Sequence, residues 1–144
     1  MQESSKWRWF CSIPGLYRND RMMLLQCFGG PEDVKGSDET EIGMLPFLNE
    51  KQKAVLTEWK NKSEDEILTE QENKKIHFAG CEDEMYPEKL KELPDHPYGL
   101  FYRGELPGKE ERCAAVVGAR QCTNYGRMAA GDIACALAEN GIAV

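Results

Sequence analysis

Cys113-Ala114-Ala115-Val116-Val117-Gly118-Ala119-Arg120-Gln121-Cys122-Thr123-Asn124-Tyr125-Gly126-Arg127 is the stretch on which the fold class turns. Its first five residues form an unbroken apolar run closed by a glycine, which is the pattern of a strand covered on both faces by helices. Beyond the polar turn, Ala130, Ile133, Ala134, Leu137 and Ala138 recur at the i, i+3, i+4, i+7, i+8 spacing of a core-facing helix. Asn140-Gly141 ends that helix, and Ile142-Ala143-Val144 begins another strand. Strand, helix and strand in this order predict a β-α-β unit, and with it an α/β class built on a parallel sheet. A crossover whose second strand is this short leaves a helix face and a strand edge without partners, so the expectation is the incomplete start of such a sheet.

The turn inside this unit is where chemistry is expected. In open α/β sheets ligands collect beyond the carboxyl ends of the strands, where the next helix presents unpaired amides and the positive end of its dipole to an anion. Gly118 lets backbone approach a ligand closely, Gly126 lets the first helical turn pack tightly, and the Thr123 hydroxyl is placed to cap the helix. Arg120 adds a permanently charged fork that matches phosphate geometry, and Tyr125 a ring able to stack on a base. A strand-glycine-turn-helix sequence is common, so the pattern alone leaves phosphate binding and a plain connection both open. It lacks the second glycine of G-x-G-x-x-G and the lysine of a G-K-[ST] loop, which disfavours dinucleotide and ATP sites.

Upstream the composition changes twice. The first 62 residues read as short helices joined by turns, a compact all-helical module. It begins with Lys6-Trp7-Arg8-Trp9-Phe10-Cys11 and the turn Ile13-Pro14-Gly15, and its aromatic residues Trp7, Trp9 and Phe10 are expected in the core. Asn19 is the expected cap of a helix that ends at Gly29-Gly30, Pro31 opens a further turn, and Asn49 with Gln52 forms a capping box. Ala54, Val55, Leu56 and Trp59 then supply an apolar face at helical spacing. Asn61–Lys75 is strongly polar and reads as an exposed helix crossing a domain boundary, dividing the chain into 1–62 and 63–144. Ile76-His77-Phe78-Ala79 and Tyr98-Gly99-Leu100-Phe101-Tyr102, each bounded by glycine, are strand signals.

Totals exclude several classes. Net charge is −7, yet Arg112–Val144 carries +1 and the preceding 111 residues −8, so a local anion site is compatible with an acidic chain. The six cysteines form no C-x-x-C pair and follow no secretory leader, and read as free cytosolic thiols, with Cys113 and Cys135 on apolar faces. With His77 and His96 the only histidines, no metal is expected. No apolar run is long enough to cross a membrane. His77 reads as a strand residue, His96 as a turn residue and Glu82-Asp83-Glu84 as a solvated turn, so no catalytic set presents itself and no cofactor is expected.

The order of the segments is more informative than any one of them. Tyr86-Pro87-Glu88-Lys89-Leu90, Leu93-Pro94-Asp95-His96-Pro97, Leu100-Phe101-Tyr102-Arg103-Gly104, Val116-Val117-Gly118-Ala119-Arg120 and Thr123-Asn124-Tyr125-Gly126 together resemble the DprA/Smf family of DNA-processing proteins. Ile13-Pro14-Gly15 and Leu24-Leu25-Gln26-Cys27-Phe28-Gly29 are similar to that family's helical leader. The resemblance implies a SAM-like helical domain followed by the N-terminal part of a Rossmann-like domain. It implies a cytoplasmic, non-enzymatic mediator that binds single-stranded DNA, forms homodimers and loads a RecA-type recombinase during natural transformation. Carried over residue by residue, Arg120 contacts a phosphate, Gly118 and Ala119 shape the turn, and Tyr125 and Gly126 form its helical side. Ala119 departs from the family's Ser or Thr, which removes a hydroxyl contact but no backbone amide. The family's following block would begin after Val144, which implies a truncated copy. Two rival readings remain: a related Rossmann-like hydrolase of nucleoside monophosphates, and a helical interaction module with a vestigial α/β segment.

Overall fold

The computed structural model describes residues 3–144. It is a helix-rich mixed fold in the order α1 (Glu3–Ser12), α2 (Arg18–Phe28), α3 (Pro31–Gly36), α4 (Glu39–Gly43), α5 (Glu50–Lys60), α6 (Glu64–Asn73), β1 (His77–Gly80), α7 (Glu88–Lys91), β2 (Gly99–Tyr102) and α8 (Asn124–Glu139).

Short helices need their freed amides satisfied, and the sequence supplies the means. Asn49 with Gln52, Asp38 with Glu41 and Ser63 with Glu66 each form a reciprocal capping box at the starts of α5, α4 and α6. The expected Asn19 cap is corrected: the N-cap is Tyr17, two residues earlier, α2 begins at Arg18, and the Asp20 carboxylate accepts the Tyr17 N–H at 2.8 Å. A carboxylate at the third helical position that reaches back to the N-cap amide satisfies one freed donor, and its charge suits the positive end of the helix. The helix stops at Gly29, whose φ of +103° an L side chain rarely adopts.

The helix α1 is the hub, packing against α3, α6 and both strands. Trp7, Trp9 and Phe10 are buried as expected, with Ile13, Leu24, Val34, Leu56, Ile67 and Phe78 in the same cluster. Trp9 and Trp59 each donate an indole N–H to the other's carbonyl, at 3.2 and 3.4 Å. Two expectations change here. Ala54 lies on the exposed side of α5, and α6 is not wholly exposed, because Ile67 is buried against α1. The Glu64 carboxylate, at the first turn of α6, is held below its usual pKa by the Ser5 hydroxyl and by Lys35.

Both strand signals are correct in place, but β1 and β2 pair antiparallel, His77 opposite Tyr102 through Gly80 opposite Gly99. The parallel element is elsewhere and minimal. One bridge joins Cys113 to Ala143, with Ala114 N–H donating to Ala143 O and Ala143 N–H to Arg112 O, both at 2.8 Å. The helix α8 connects its two sides. The run 113–117 is thus not the doubly covered strand expected. Residues 142–144 alone flank it, so the ladder has a single rung, and Val117 is 89 % exposed. No residue of α8 is buried, and Ile133 of the predicted core stripe is exposed.

The thiols sort by the same burial. Cys11 and Cys81 are half-buried, and burial pushes the Cys11 thiol up to about 12 and raises Cys81 as well. Cys27, Cys113, Cys122 and Cys135 are exposed, which corrects the expected apolar burial of Cys113 and Cys135. Because the thiolate is the nucleophile, brief iodoacetamide treatment of the native protein at pH 8 is expected to label those four and spare Cys11 until urea is added. Peptide mass spectrometry reads the sites, and early modification of Cys11 would contradict its packing.

Candidate nucleic-acid interface

The turn after the Cys113 bridge is open to solvent from Val116 through Tyr125. Thr123 is the N-cap of α8, its Oγ1 accepting the Gly126 N–H at 3.1 Å, and the first main-chain bond of the helix runs from Arg127 N–H to Thr123 O at 3.0 Å. This leaves the amides of Asn124 and Tyr125 at the helix end with no carbonyl a turn behind them. A Cβ added at position 126 would come to 3.4 Å from Thr123 Oγ1, so the cap lies against this first turn of the helix. No atom outside its own neighbours lies within 4 Å of where a Cβ on Gly118 would be, and that side of the turn is open.

Arg120 is exposed and has no hydrogen-bond or ion-pair partner among the described residues. Ala119 beside it is exposed, and the Tyr125 ring is 80 % exposed at the first turn of α8. The structure therefore gathers Gly118, Ala119, Arg120, Tyr125 and Gly126 on one connection at the N-terminal end of a sixteen-residue helix. A free guanidinium, unpaired amides and the helix dipole there all favour an anion.

Other singled-out residues lie apart from this turn. His77 is an exposed strand residue whose ring tilts against Tyr102 at 5.4 Å, and His96 sits in a turn with Nδ1 3.2 Å from Leu93 O. The acidic cluster is not merely a solvated turn. Glu82 accepts the Trp7 indole N–H at 2.6 Å and pairs with Lys6 at 3.4 Å, while Asp83 accepts the Gly80 N–H at 2.6 Å. No group of three His, Cys, Asp or Glu among the described residues is placed to hold a metal, and no described helix is long and apolar enough to cross a membrane.

A family model, DNA recombination-mediator protein A, matches residues 77–144. Over these residues, a little under half of the chain, the sequence is similar to the DprA family. No curated protein and no solved structure is significantly similar to the chain. The DprA match begins at β1 and takes in the hairpin, the connector and the whole α8 turn, whereas α1–α6 lie outside it. The resemblance read from the five ordered blocks falls within the matched residues.

Proposed function

We propose that this chain is a DprA-like, non-enzymatic recombination mediator that grips single-stranded DNA at the turn 118–126. Arg120 contacts a phosphate, the amides at the start of α8 approach the same backbone, and Tyr125 stacks on a base. The observation that carries this is an unneutralised Arg120 beside an open, capped helix N-terminus inside the family-matched segment. The acidity of the rest of the chain does not oppose it, because screening confines interactions between exposed charges to about 8 Å at physiological salt.

The same proposal takes residues 63–144 as the start of a Rossmann-like domain and 1–62 as a SAM-like helical domain. The parallel bridge on either side of α8 supports the first, since a parallel pair with a helical crossover is the unit of that fold. The several short helices around α1 support the second. A homodimer, delivery of the strand to a RecA-type recombinase and a cytoplasmic location follow from the family reading.

Fluorescence anisotropy of a labelled oligothymidylate tests the central contact. Arg120→Ala is expected to weaken binding about tenfold, the effect of losing one charge-assisted contact of roughly 1.4 kcal/mol. The slope of log K against log salt should shrink by about 0.7, one phosphate contact on a single strand. Unchanged affinity and slope would remove Arg120 from the interface.

A further inference from the structure

Phe101 lies on β2 with its ring 44 % exposed, and its inner face leans on buried Phe78 at a centroid separation of 5.0 Å. It lines two adjoining cavities of about 320 and 440 Å³, which also share Cys11. Arg18, Arg21 and His96 line the first, and Lys74 and Glu70 the second. Arg18 has no hydrogen-bond or ion-pair partner among the described residues, and Glu70 is taken by Lys62 at 2.8 Å. Arg21 gives its donors to main-chain carbonyls but keeps its charge. Asp95 is the carboxylate of the first cavity. In a region of net −8, the cations Arg18, Arg21 and Lys74 are thus concentrated around one exposed aromatic ring.

Resting on the DNA reading above, we propose that this face is a second contact surface for a single strand. Phe101 stacks on a base, while Arg18 in one cavity and Lys74 in the other hold phosphates. Stacking on an aromatic ring together with a cationic groove is how sequence-tolerant binding of single strands is built. Phe78 behind the ring holds it in place before any strand arrives, so little side-chain freedom is lost on binding. An arginine fork suits a phosphate because its planar donors match two oxygens at once.

The test compares wild type with Phe101→Leu, Phe101→Tyr, the pair Arg18→Ala/Lys74→Ala, and Arg120→Ala, by anisotropy of the same oligothymidylate. Phe101→Leu keeps apolar bulk without a π-face and is expected to bind about tenfold more weakly, whereas Phe101→Tyr stays within about twofold of wild type. The paired alanine variant should reduce the salt slope by about 1.4, two phosphate contacts. Wild-type binding by Phe101→Leu together with weakened binding by Arg120→Ala would overturn this inference and leave the first reading standing. The reverse pattern would uphold the second surface and remove the first. No binding by wild type would overturn both.

Discussion

Arg21→Met is expected to lower the unfolding free energy by about 3–5 kcal/mol, a large part of the roughly 5–15 kcal/mol typical of a domain. The chain reverses direction between α1 and α2 through Ile13-Pro14-Gly15, and the reversal brings carbonyls together that no helix can satisfy. The Arg21 guanidinium donates to Phe10 O at 3.4 Å, Cys11 O at 3.1 Å, Ile13 O at 2.7 Å and also to Leu16 O. Phe10 and Ile13 are buried, so water cannot replace the lost donors. Each hydrogen bond to a charged group is worth about 1.5–3 kcal/mol, and an orphaned acceptor costs its desolvation besides. Burial lowers the pKa of Arg21 from its usual value, yet an arginine starts so high that it stays charged. Arg21→Lys should recover only part of the loss, because one ammonium cannot reach carbonyls spread over seven residues. Urea unfolding monitored by tryptophan fluorescence measures both, and a change below about 0.5 kcal/mol for Arg21→Met, the ordinary range of surface substitutions, would refute the role.

This keystone was not legible in the sequence, and the reason is general. Local signals such as the Asn49–Gln52 box, the Gly29 stop and the Thr123 cap depend on neighbours within a turn, and all three stand in the structure. Arg21 serves carbonyls brought round by a chain reversal, and Glu82 meets Trp7 across 75 positions, so neither has a local signature. Strand signals likewise mark where β1 and β2 lie but not how they pair, because the side-chain period of two is the same in parallel and antiparallel ladders. An apolar run states a preference for burial without supplying a partner, which is why Val116 and Val117 read as covered in the sequence and lie exposed in the structure. The turn 118–126 is legible as the approach to a helix N-terminus because glycine, threonine and the following helical stripe define it within a dozen residues. Phe101 was legible as a strand residue, but its exposure between Arg18 and Lys74 depends on three distant segments meeting.

Gly99→Ala is expected to destabilise the fold by about 2–3 kcal/mol, the upper range of overpacking in a filled core. A Cβ at position 99 would fall inside the van der Waals shells of Phe78 Cζ and Cε2 and lie 3.3 Å from Cys11 Sγ. Phe78 is 4 % exposed and cannot swing away without opening the cluster around α1. Gly80, paired with Gly99 in the hairpin, brings its own missing Cβ to within 3.2 Å of Trp7 Cβ, so the two glycines together let α1 lie directly on the strands. The milder Gly80→Ala contact should cost about 1 kcal/mol, since a few tenths of an ångström relieve it. The steric cause is separable from backbone effects by a double-mutant cycle. Phe78→Leu removes the atoms that clash, so Gly99→Ala/Phe78→Leu should be at least 1 kcal/mol more stable than the sum of the single losses. Additive losses would place the cost in the backbone rather than in the ring. Because Phe78 also carries the ring of Phe101, Gly99→Ala is expected to weaken the proposed stacking at Phe101 and to leave the proposed Arg120 contact unchanged.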